Sequence, residues 1–559
     1  MIEPSAASVV PTTDPSTYLP AQPIGDLTDE LLATDFWTDD MVARAGIPIV
    51  DIPFVTVGGG IGSFVTVDYL RIAGVPTSHM RVLSALDHPW QTYEYLTRVS
   101  QIPRGERLRS DSASRPDNIW GFPSYAVSEA LRDKTLKPLW NVFSEPILAD
   151  YWTPRAGQAF EAMEREARRI GYHEMLVKGL VRVVRRRYGG GYFTILTPPQ
   201  GASATKRVAF RSQYVHVAVG YPGLKFLPEL QRYRTEHNDY RHIVNAYEAH
   251  EHVYERLLQY PSTVLVRGGG IVASRVLQRL MDDRLKHGAQ TTIVHLFRTY
   301  IHGANDGYGN ETDPRPGGGK PPVFFRRKGG NGWAYQGFNY PKSVWGGQLK
   351  KQVRGLEGEQ RAEIYKRMGG TNTPWRKLWQ KQMDQGRREG WYHVLVGTVD
   401  DMQPSGERIL NQVRTHQGVV PVEVDFVIDC TGLEADITEH RLLKDLLEHG
   451  GAGRNPVGRL DVDRNFELKG TRSGAGALYA SGATTLGGYF PRRRHLPRAP
   501  GRRPGDLRRP QQARVLQADR PGAVDGAVVE VAARERAVTD PLLPLASLVH
   551  RPPHRRGDH

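Results

Sequence analysis

The sequence has one cysteine, Cys430, among 559 residues, so no intrachain disulfide can form and no two-thiol redox motif exists. No apolar run approaches the ~20 residues that span a bilayer. The first thirty residues also lack a basic region followed by an apolar core. These absences predict a cytoplasmic protein without a membrane partner. The chain is too long for one core, and its length suits two to four domains.

Aromatic residues and lysines are absent from residues 491–559, which carry 15 arginines and 7 acidic residues. More than half of the net charge of +15 therefore lies in this tail. A nucleic-acid groove would interleave basic residues with aromatic ones. The distribution of charge thus predicts no nucleic-acid partner.

The abrupt change in residue types after Phe490 has two interpretations. Residues 492–500 can be encoded so that dropping one base gives Ala-Val-Asp-Thr-Phe-Leu-Gly-Leu, the start of an amphipathic helix. We therefore hypothesise that the tail is a frameshifted translation of a GC-rich gene, which an intact original reading frame in the source DNA would contradict. The alternative is a natural, disordered basic tail. Both interpretations predict little order.

A glycine-rich turn stands between an apolar, β-branched run and a helical pattern at residues 54–63, Phe-Val-Thr-Val-Gly-Gly-Gly-Ile-Gly-Ser. This order predicts strand, tight turn and helix. The first glycine of such a motif allows the turn, the second lets the backbone approach a pyrophosphate, and the third small position packs helix against strand. The helix N-terminus then offers amide donors to phosphates. The predicted cofactor-binding residues are Gly58, Gly59, Gly60, Gly62 and Ser63.

A second copy of this pattern, Thr-Val-Leu-Val-Arg-Gly-Gly-Gly-Ile-Val-Ala-Ser, occupies residues 263–274. Two matched strand-turn-helix openings indicate internal duplication. The sequence therefore predicts an α/β protein with two Rossmann-like dinucleotide-binding domains. The predicted cofactor-binding residues of the second turn are Gly268, Gly270, Ala273 and Ser274.

Dinucleotide folds end their second strand with a residue that contacts the adenosine ribose. In the first domain this strand is expected at residues 80–86, followed by Asp87, which could equally be a turn or cap residue. In the second domain the strand is expected at 291–297, followed by Arg298. Arginine suits the 2′-phosphate of NADP, so Arg298, with Arg267 before the glycines, favours NADPH over NADH. The alternative for Arg298 is a surface cation.

Three further segments bear on function. Residues 101–126, which include Trp120, are expected to form an ordered loop that lines a ligand, or else a solvated loop. The glycine-rich residues 303–348 carry several aromatic side chains and are interpreted as a lid over the substrate. Residues 236–257 contain four histidines, for which a solvated polar helix is favoured over a metal site. No metal is predicted.

The order of these motifs resembles flavoproteins with two dinucleotide-binding domains. The residues that carry the resemblance are the two glycine turns, Ala-Val-Gly-Tyr-Pro at 218–222, Asp-Cys-Thr-Gly at 429–432, and Leu-Tyr-Ala-Ser-Gly-Ala at 478–483. They are most similar to the flavin-dependent monooxygenases that hydroxylate nitrogen or oxidise carbonyls. The resemblance covers residues 47–490 and implies FAD on the first turn and NADPH on the second. It also implies contacts from Gly220, Gly432, Gly482 and Ala483.

The resemblance further implies that the NADPH domain is inserted into the FAD domain. The expected divisions are a flexible lead at 1–45, the FAD domain at 46–250 and 436–490, the NAD(P)H domain at 251–435, and the tail at 491–559. Two departures limit the comparison. The family's Gly-Asp pair near the end of the FAD domain is Gly482-Ala483 here, and the signature of the carbonyl-oxidising branch is absent.

The predicted function is an FAD-dependent oxidoreductase that takes hydride from NADPH and oxygenates a small organic molecule. One alternative is a flavin reductase that passes electrons to a partner protein or a quinone. A second is a nucleotide-binding scaffold without activity. No catalytic acid or base can be named from the sequence, and the oligomeric state is left open.

Overall fold

The computed structural model describes residues 25–106, 122–140, 155–199, 207–300, 331–333, 354–367, 373, 376–433 and 436–489. Trp120, the tail at 491–559 and most of the glycine-rich segment 303–348 lie outside these residues. None of the described helices is both long enough and apolar enough to cross a membrane.

The strands fall into four sheets. In the first half of the chain they are β1 (Phe36–Trp37), β2 (Ile49–Asp51), β3 (Phe54–Val57), β4 (Met80–Ser84), β5 (Leu176–Lys178), β6 (Leu180–Arg187), β7 (Tyr192–Thr197), β8 (Val208–Ser212) and β9 (Tyr214–Val217). In the second half they are β10 (Ile243–Asn245), β11 (Ser262–Arg267), β12 (Thr291–Phe297), β13 (Tyr392–Val396), β14 (Thr398–Ser405), β15 (Arg408–Thr415), β16 (Gly418–Val424), β17 (Phe426–Asp429) and β18 (Ala477–Ala480).

The described residues also form helices. The α-helices are α1 (Asp29–Ala33), α2 (Asp39–Arg44), α3 (Ile61–Ile72), α4 (Gln91–Val99), α5 (Phe122–Arg132), α6 (Ala156–Arg169), α7 (Tyr172–Met175), α8 (Pro228–His237), α9 (Glu251–Gln259), α10 (Ile271–His287), α11 (Gly358–Arg367), α12 (Lys377–Glu389) and α13 (Arg441–Glu448). Short 3₁₀ turns are formed by Thr77–His79, Ile437–Glu439 and Gly482–Thr485.

The first parallel sheet has the strand order β18-β9-β3-β4-β5. Its central strand β3 is buried along its whole length, as expected for a parallel strand covered on both faces. One face packs against α3 and α6 through Phe64, Val67 and Phe160. The other packs against the antiparallel strands β6–β8 and helix α13.

The second parallel sheet has the order β10-β17-β11-β12-β13. All five strands lie between β9 and β18 in the sequence, so the chain leaves the first parallel sheet, builds the second and returns. β10 already pairs with β17. The second unit therefore begins before residue 251, earlier than the sequence-based division. A three-stranded antiparallel sheet, β14-β15-β16, precedes the return strand β17.

Part of the expected flexible lead at 1–45 is folded, while its residues 1–24 lie outside the described residues. Residues 25–45 form α1, β1 and α2, and Trp37 is fully buried. The buried guanidinium of Arg185 on β6 donates to the carbonyls of Thr34 (2.9 Å) and Leu32 (3.1 Å). Its third contact is Asp445 on α13, at 2.5 Å. Arg185, far along the chain, thus holds this segment in place. The local composition of the segment could not indicate such a contact.

Two other expectations need correction. The expected polar helix at 236–257 is instead the end of α8, strand β10 and helix α9, because Ile243 and Val244 are buried in the second sheet. The strand expected at 80–86 ends at Ser84. The strand expected at 291–297 is confirmed as β12.

Candidate functional site

The first glycine turn packs so closely on neighbouring strands that its first two positions have no room for a side chain. Gly58 has φ of +98°, and a Cβ placed there would lie 2.4 Å from the carbonyl oxygen of Ala218. A Cβ on Gly59 would lie 2.5 Å from Oγ of Ser84, at the end of β4. Such separations are far below van der Waals contact. The turn therefore requires glycine at both positions, which brings β3, β4 and β9 together at one edge.

The helix that follows offers free amides to an anion. Gly60 is the N-cap of α3, and no side chain accepts from the first-turn amides. A Cβ on Gly60 would meet nothing within 4 Å, so the space beside these donors is open. Uncapped amides and the positive end of the helix dipole suit a pyrophosphate. Gly62 is exposed here, whereas Ser63 is buried against β3.

A chain of buried hydrogen bonds runs under this turn. The hydroxyl of Thr56 donates to Oγ of Ser63 (2.9 Å), and Nδ1 of His216 lies 3.0 Å from the Thr56 oxygen. Nε2 of His216 lies 2.9 Å from Oγ of Ser481. With Thr56 donating onward, Nδ1 carries the proton and Nε2 accepts from Ser481. Complete burial lowers the pKa of His216 to about 4, so the ring is neutral.

The remaining predicted residues of the first site lie at the same carboxyl edge. Gly220 follows β9 with φ of +78°, and Gly482 follows β18 with φ of +87°. Ala483, the position of the family's aspartate, is partly exposed in the 3₁₀ turn after β18. Asp87 is exposed three residues beyond β4 and forms an ion pair with Lys178 on β5. Trp120 lies outside the described residues.

Sequence reasoning missed Tyr172 on α7. Its hydroxyl donates to the carbonyl of Gly59 (3.0 Å), and burial raises its pKa. The contact spans 113 residues, and no local motif indicates it. Sequence reasoning also missed His216, because it lies within an apolar strand and no motif marks it.

The second glycine turn repeats the backbone geometry. Gly268 has φ of +129°, and a Cβ there would lie 3.1 Å from the carbonyl oxygen of Cys430, just after β17. Gly270 is the N-cap of α10, again without a side-chain cap. Ala273 is fully buried against the sheet. The second helix thus also presents uncapped amides beside a tight turn.

A second buried histidine holds this turn. Nε2 of His295 lies 2.7 Å from the carbonyl oxygen of Gly268, which can only accept, so Nε2 carries the proton. Nδ1 then accepts from the hydroxyl of Tyr392 (2.9 Å). Burial lowers the pKa of His295 to about 4. Trp333 stacks on this ring, with 5.0 Å between ring centroids, and is itself fully buried. Trp333 is therefore a core residue, although the surrounding segment was interpreted as a lid.

Ser274 has a structural contact within the described residues. Its Oγ donates to the carbonyl of Ile271 (2.8 Å) and lies 2.6 Å from Oγ1 of Thr373. The guanidinium of Arg376 also reaches the carbonyl of Ser274 (3.2 Å). The serine hydroxyl thus ties α10 to residues 373–376.

The two basic residues of the second site have different surroundings. Arg298 directly follows β12 and is exposed, with no ion pair to any described residue. Arg267 is buried and forms an ion pair with Glu229 on α8, at 2.7 Å. The Arg267 charge is therefore paired within the fold, which leaves Arg298 as the exposed cation of the two. Gly432, with φ of +148°, lies beyond β17 at the same edge.

Comparison with solved structures finds this fold in amine hydroxylases. The ornithine hydroxylase of Pseudomonas aeruginosa matches with a TM-score of 0.54 and 14% identity, over 79% of this chain and 95% of that chain. An ornithine N-hydroxylase of Kutzneria sp. 744, solved with reduced FAD, NADP⁺ and L-ornithine, matches with 0.54 and 12%, over 77% and 92%. The FAD-bound cadaverine monooxygenase of Erwinia amylovora matches with 0.51 and 12%, over 77% and 88%.

At these sequence identities, the structural similarity establishes the fold alone. The resemblance seen in the sequence is therefore confirmed for the fold. No family model matches the sequence, and a search of curated proteins finds no match. The chain thus shares with these hydroxylases an α/β fold, built here on two five-stranded parallel sheets.

Proposed function

We propose that the protein is an FAD- and NADPH-dependent monooxygenase that hydroxylates a small amine. The observation that carries the proposal is the pair of glycine turns, each of which begins with a glycine of positive φ packed against a neighbouring strand end and leads into a helix without a side-chain cap. Both turns belong to the fold that this chain shares with the ornithine hydroxylase of Pseudomonas aeruginosa. The amine substrate is taken from those enzymes.

The residues of the first turn fit the pyrophosphate of FAD. Gly58 and Gly59 let the turn pack directly on the ends of β9 and β4, and the amides after Gly60, beside open space, can donate to the ligand. Ser481 is held by His216 beside the segment where the family places an acidic flavin contact. Here Gly482 and Ala483 would offer backbone groups to the flavin chain. A bound flavin supplies hydride acceptance and oxygen activation.

The second turn fits the pyrophosphate of NADPH in the same way. Gly268 forms the tight turn, Gly270 is the N-cap of α10, and His295 donates to the carbonyl of Gly268. Exposed Arg298 at the end of β12 is suited to the 2′-phosphate. The position of the second sheet's strands between β9 and β18 supports an NADPH domain inserted into the FAD domain.

The test is oxygen uptake by the full-length protein with FAD and NADPH, in the presence of L-ornithine, L-lysine or cadaverine. We expect one amine to accelerate both NADPH oxidation and oxygen uptake and to yield a hydroxylated product. Anaerobic reduction of dyes at a rate that no amine changes would instead identify a reductase. If the folded protein shows neither activity, the remaining interpretation is a nucleotide-binding scaffold.

A further inference from the structure

Three side chains from separate elements converge beside the first parallel sheet. His88 lies in the turn between β4 and α4, Glu164 on α6 and His173 on α7. Nδ1 of His88 is 2.9 Å from one carboxylate oxygen of Glu164, and Nε2 of His173 is 3.3 Å from the other. Among the residues the structure describes, no other histidine, cysteine or carboxylate group of three or more brings its ligand atoms this close together.

These separations suit ligands of a single metal ion. A tetrahedral zinc ion with bonds of ~2.0–2.2 Å holds neighbouring ligand atoms roughly 3.3–3.5 Å apart. Small rotations of the three side chains would open that space. The ring of His88 is already oriented, because it stacks on Trp90 with 5.0 Å between ring centroids.

The charge of the cluster is compatible with a cation. Glu164 supplies the negative charge of the cluster, and its carboxylate lies between the two imidazole rings. Nε1 of Trp90 donates to it at 3.0 Å. Nε of Arg168 lies 3.8 Å from the Glu164 carboxylate and would repel a bound cation. The Arg168 side chain is largely exposed, so it can move away.

We propose that His88, Glu164 and His173 form a binding site for a divalent transition metal such as Zn²⁺. Two imidazole nitrogens and one carboxylate are a zinc-type donor set, whereas Mg²⁺ and Ca²⁺ prefer oxygen ligands alone. The fourth position is left for water. The side chains of His88 and His173 are 40% and 37% exposed, which gives the ion a path from solvent.

The location gives the site a structural consequence. His173 adjoins Tyr172, whose hydroxyl holds the carbonyl of Gly59. A bound metal would tie α7 to the turn after β4 and stabilise the folded chain by mass action. This proposal does not depend on the proposed catalytic function, since metal binding can be measured without turnover.

The test is calorimetric titration of Zn²⁺ into the chelator-treated, full-length protein, compared with Glu164→Gln, His173→Ala and the control His393→Ala. His393 is exposed on β13 and remote from the cluster in the fold. We expect one zinc ion per chain, a loss of affinity of about 10- to 100-fold in both cluster variants, and no change in the control. Mg²⁺ should give no saturable binding.

Co²⁺ provides a second measurement. Its visible absorption reports four-coordinate binding, and the band should appear in the wild type and the control but not in His173→Ala, at unchanged circular dichroism. The proposal is overturned if the wild type shows no saturable zinc binding. Equal zinc affinity in the cluster variants and the control would overturn it as well.

Discussion

At the scale of single residues, each parallel sheet buries a histidine on a strand next to its glycine turn. His216 on β9 and His295 on β12 are both fully buried and neutral, but they carry their protons on opposite ring nitrogens. Charging either ring would add a proton to the nitrogen that now accepts a hydroxyl hydrogen bond, at a buried position with no counter-ion among the described residues. The buried histidines therefore act as fixed hydrogen-bonding spacers rather than as titrating groups.

Replacing His216 by leucine should destabilise the fold by about 2 kcal/mol, because the hydroxyls of Thr56 and Ser481 lose buried partners. Urea unfolding at pH 7.5 measures this free energy. The exposed His393→Leu serves as control and should change it by less than about 0.5 kcal/mol. Equal stabilities of the wild type and His216→Leu would contradict the hydrogen-bond chain.

The same variant should alter the pH dependence of stability. The pKa of His216 is near 6.5 in the unfolded chain and about 4 in the folded one, so the unfolded state binds more protons between these values. This contribution is fully present above pH 6.5 and is lost as the pH falls towards 4. By pH 5 the loss is about 2 kcal/mol in the wild type only. The stability difference between wild type and His216→Leu should therefore nearly vanish at pH 5. A difference independent of pH would refute the depressed pKa.

Arg298 should determine the choice of nicotinamide cofactor. A charge-assisted hydrogen bond to the 2′-phosphate is worth about 1.5–3 kcal/mol, so Arg298→Ala should raise KM for NADPH by roughly 10- to 100-fold. KM for NADH should stay nearly constant, because NADH lacks that phosphate. Steady-state oxidation of both cofactors measures the ratio. An equal effect on both would show that Arg298 is a surface cation.

At the scale of elements, the two glycine turns should be separable by mutation. Gly58→Ala places a Cβ against the Ala218 carbonyl and should abolish flavin retention. Gly268→Ala should retain flavin and weaken NADPH binding by about tenfold or more, because about 1.4 kcal/mol of strain already lowers an affinity tenfold. Flavin absorbance per chain and the NADPH concentration dependence of reduction measure the two effects.

Gly288 is the matched control for these turns. It ends α10 with φ of +76°, and a Cβ placed there would meet nothing within 4 Å. Gly288→Ala should therefore cost only about 1 kcal/mol of backbone strain and leave both cofactors bound. If Gly58→Ala retained flavin as well as Gly288→Ala does, the first turn would not be the flavin site.

Elements with a local signal could be predicted from the sequence, whereas long-range contacts could not. An apolar run that ends in three glycines marks β3 and β11 without any tertiary information. Arg185 and the N-terminal segment, His216 and Ser481, and the cluster at His88 each join residues far apart in the chain. The burial of β10 within a polar, histidine-rich stretch depended likewise on its pairing with β17. Such pairings become visible only when the sheets are assembled.

At the scale of the whole molecule, contacts join the units built on the two parallel sheets. Glu106, beyond α4, forms an ion pair with Arg275 on α10. The hydroxyl of Tyr489, beyond β18, donates to the carboxylate of Glu357 at 2.8 and 2.9 Å. These contacts hold the two units, each with its own glycine turn, against each other within one chain.

The visible absorption spectrum of the purified, full-length protein, recorded with FAD before and after anaerobic addition of NADPH, tests the central claim most directly. We expect a protein-bound flavin band near ~450 nm that bleaches when NADPH is added, because hydride passes to the flavin. A protein that stays colourless after FAD is supplied, or a bound flavin that NADPH never bleaches, would contradict the assignment of the two turns to FAD and NADPH.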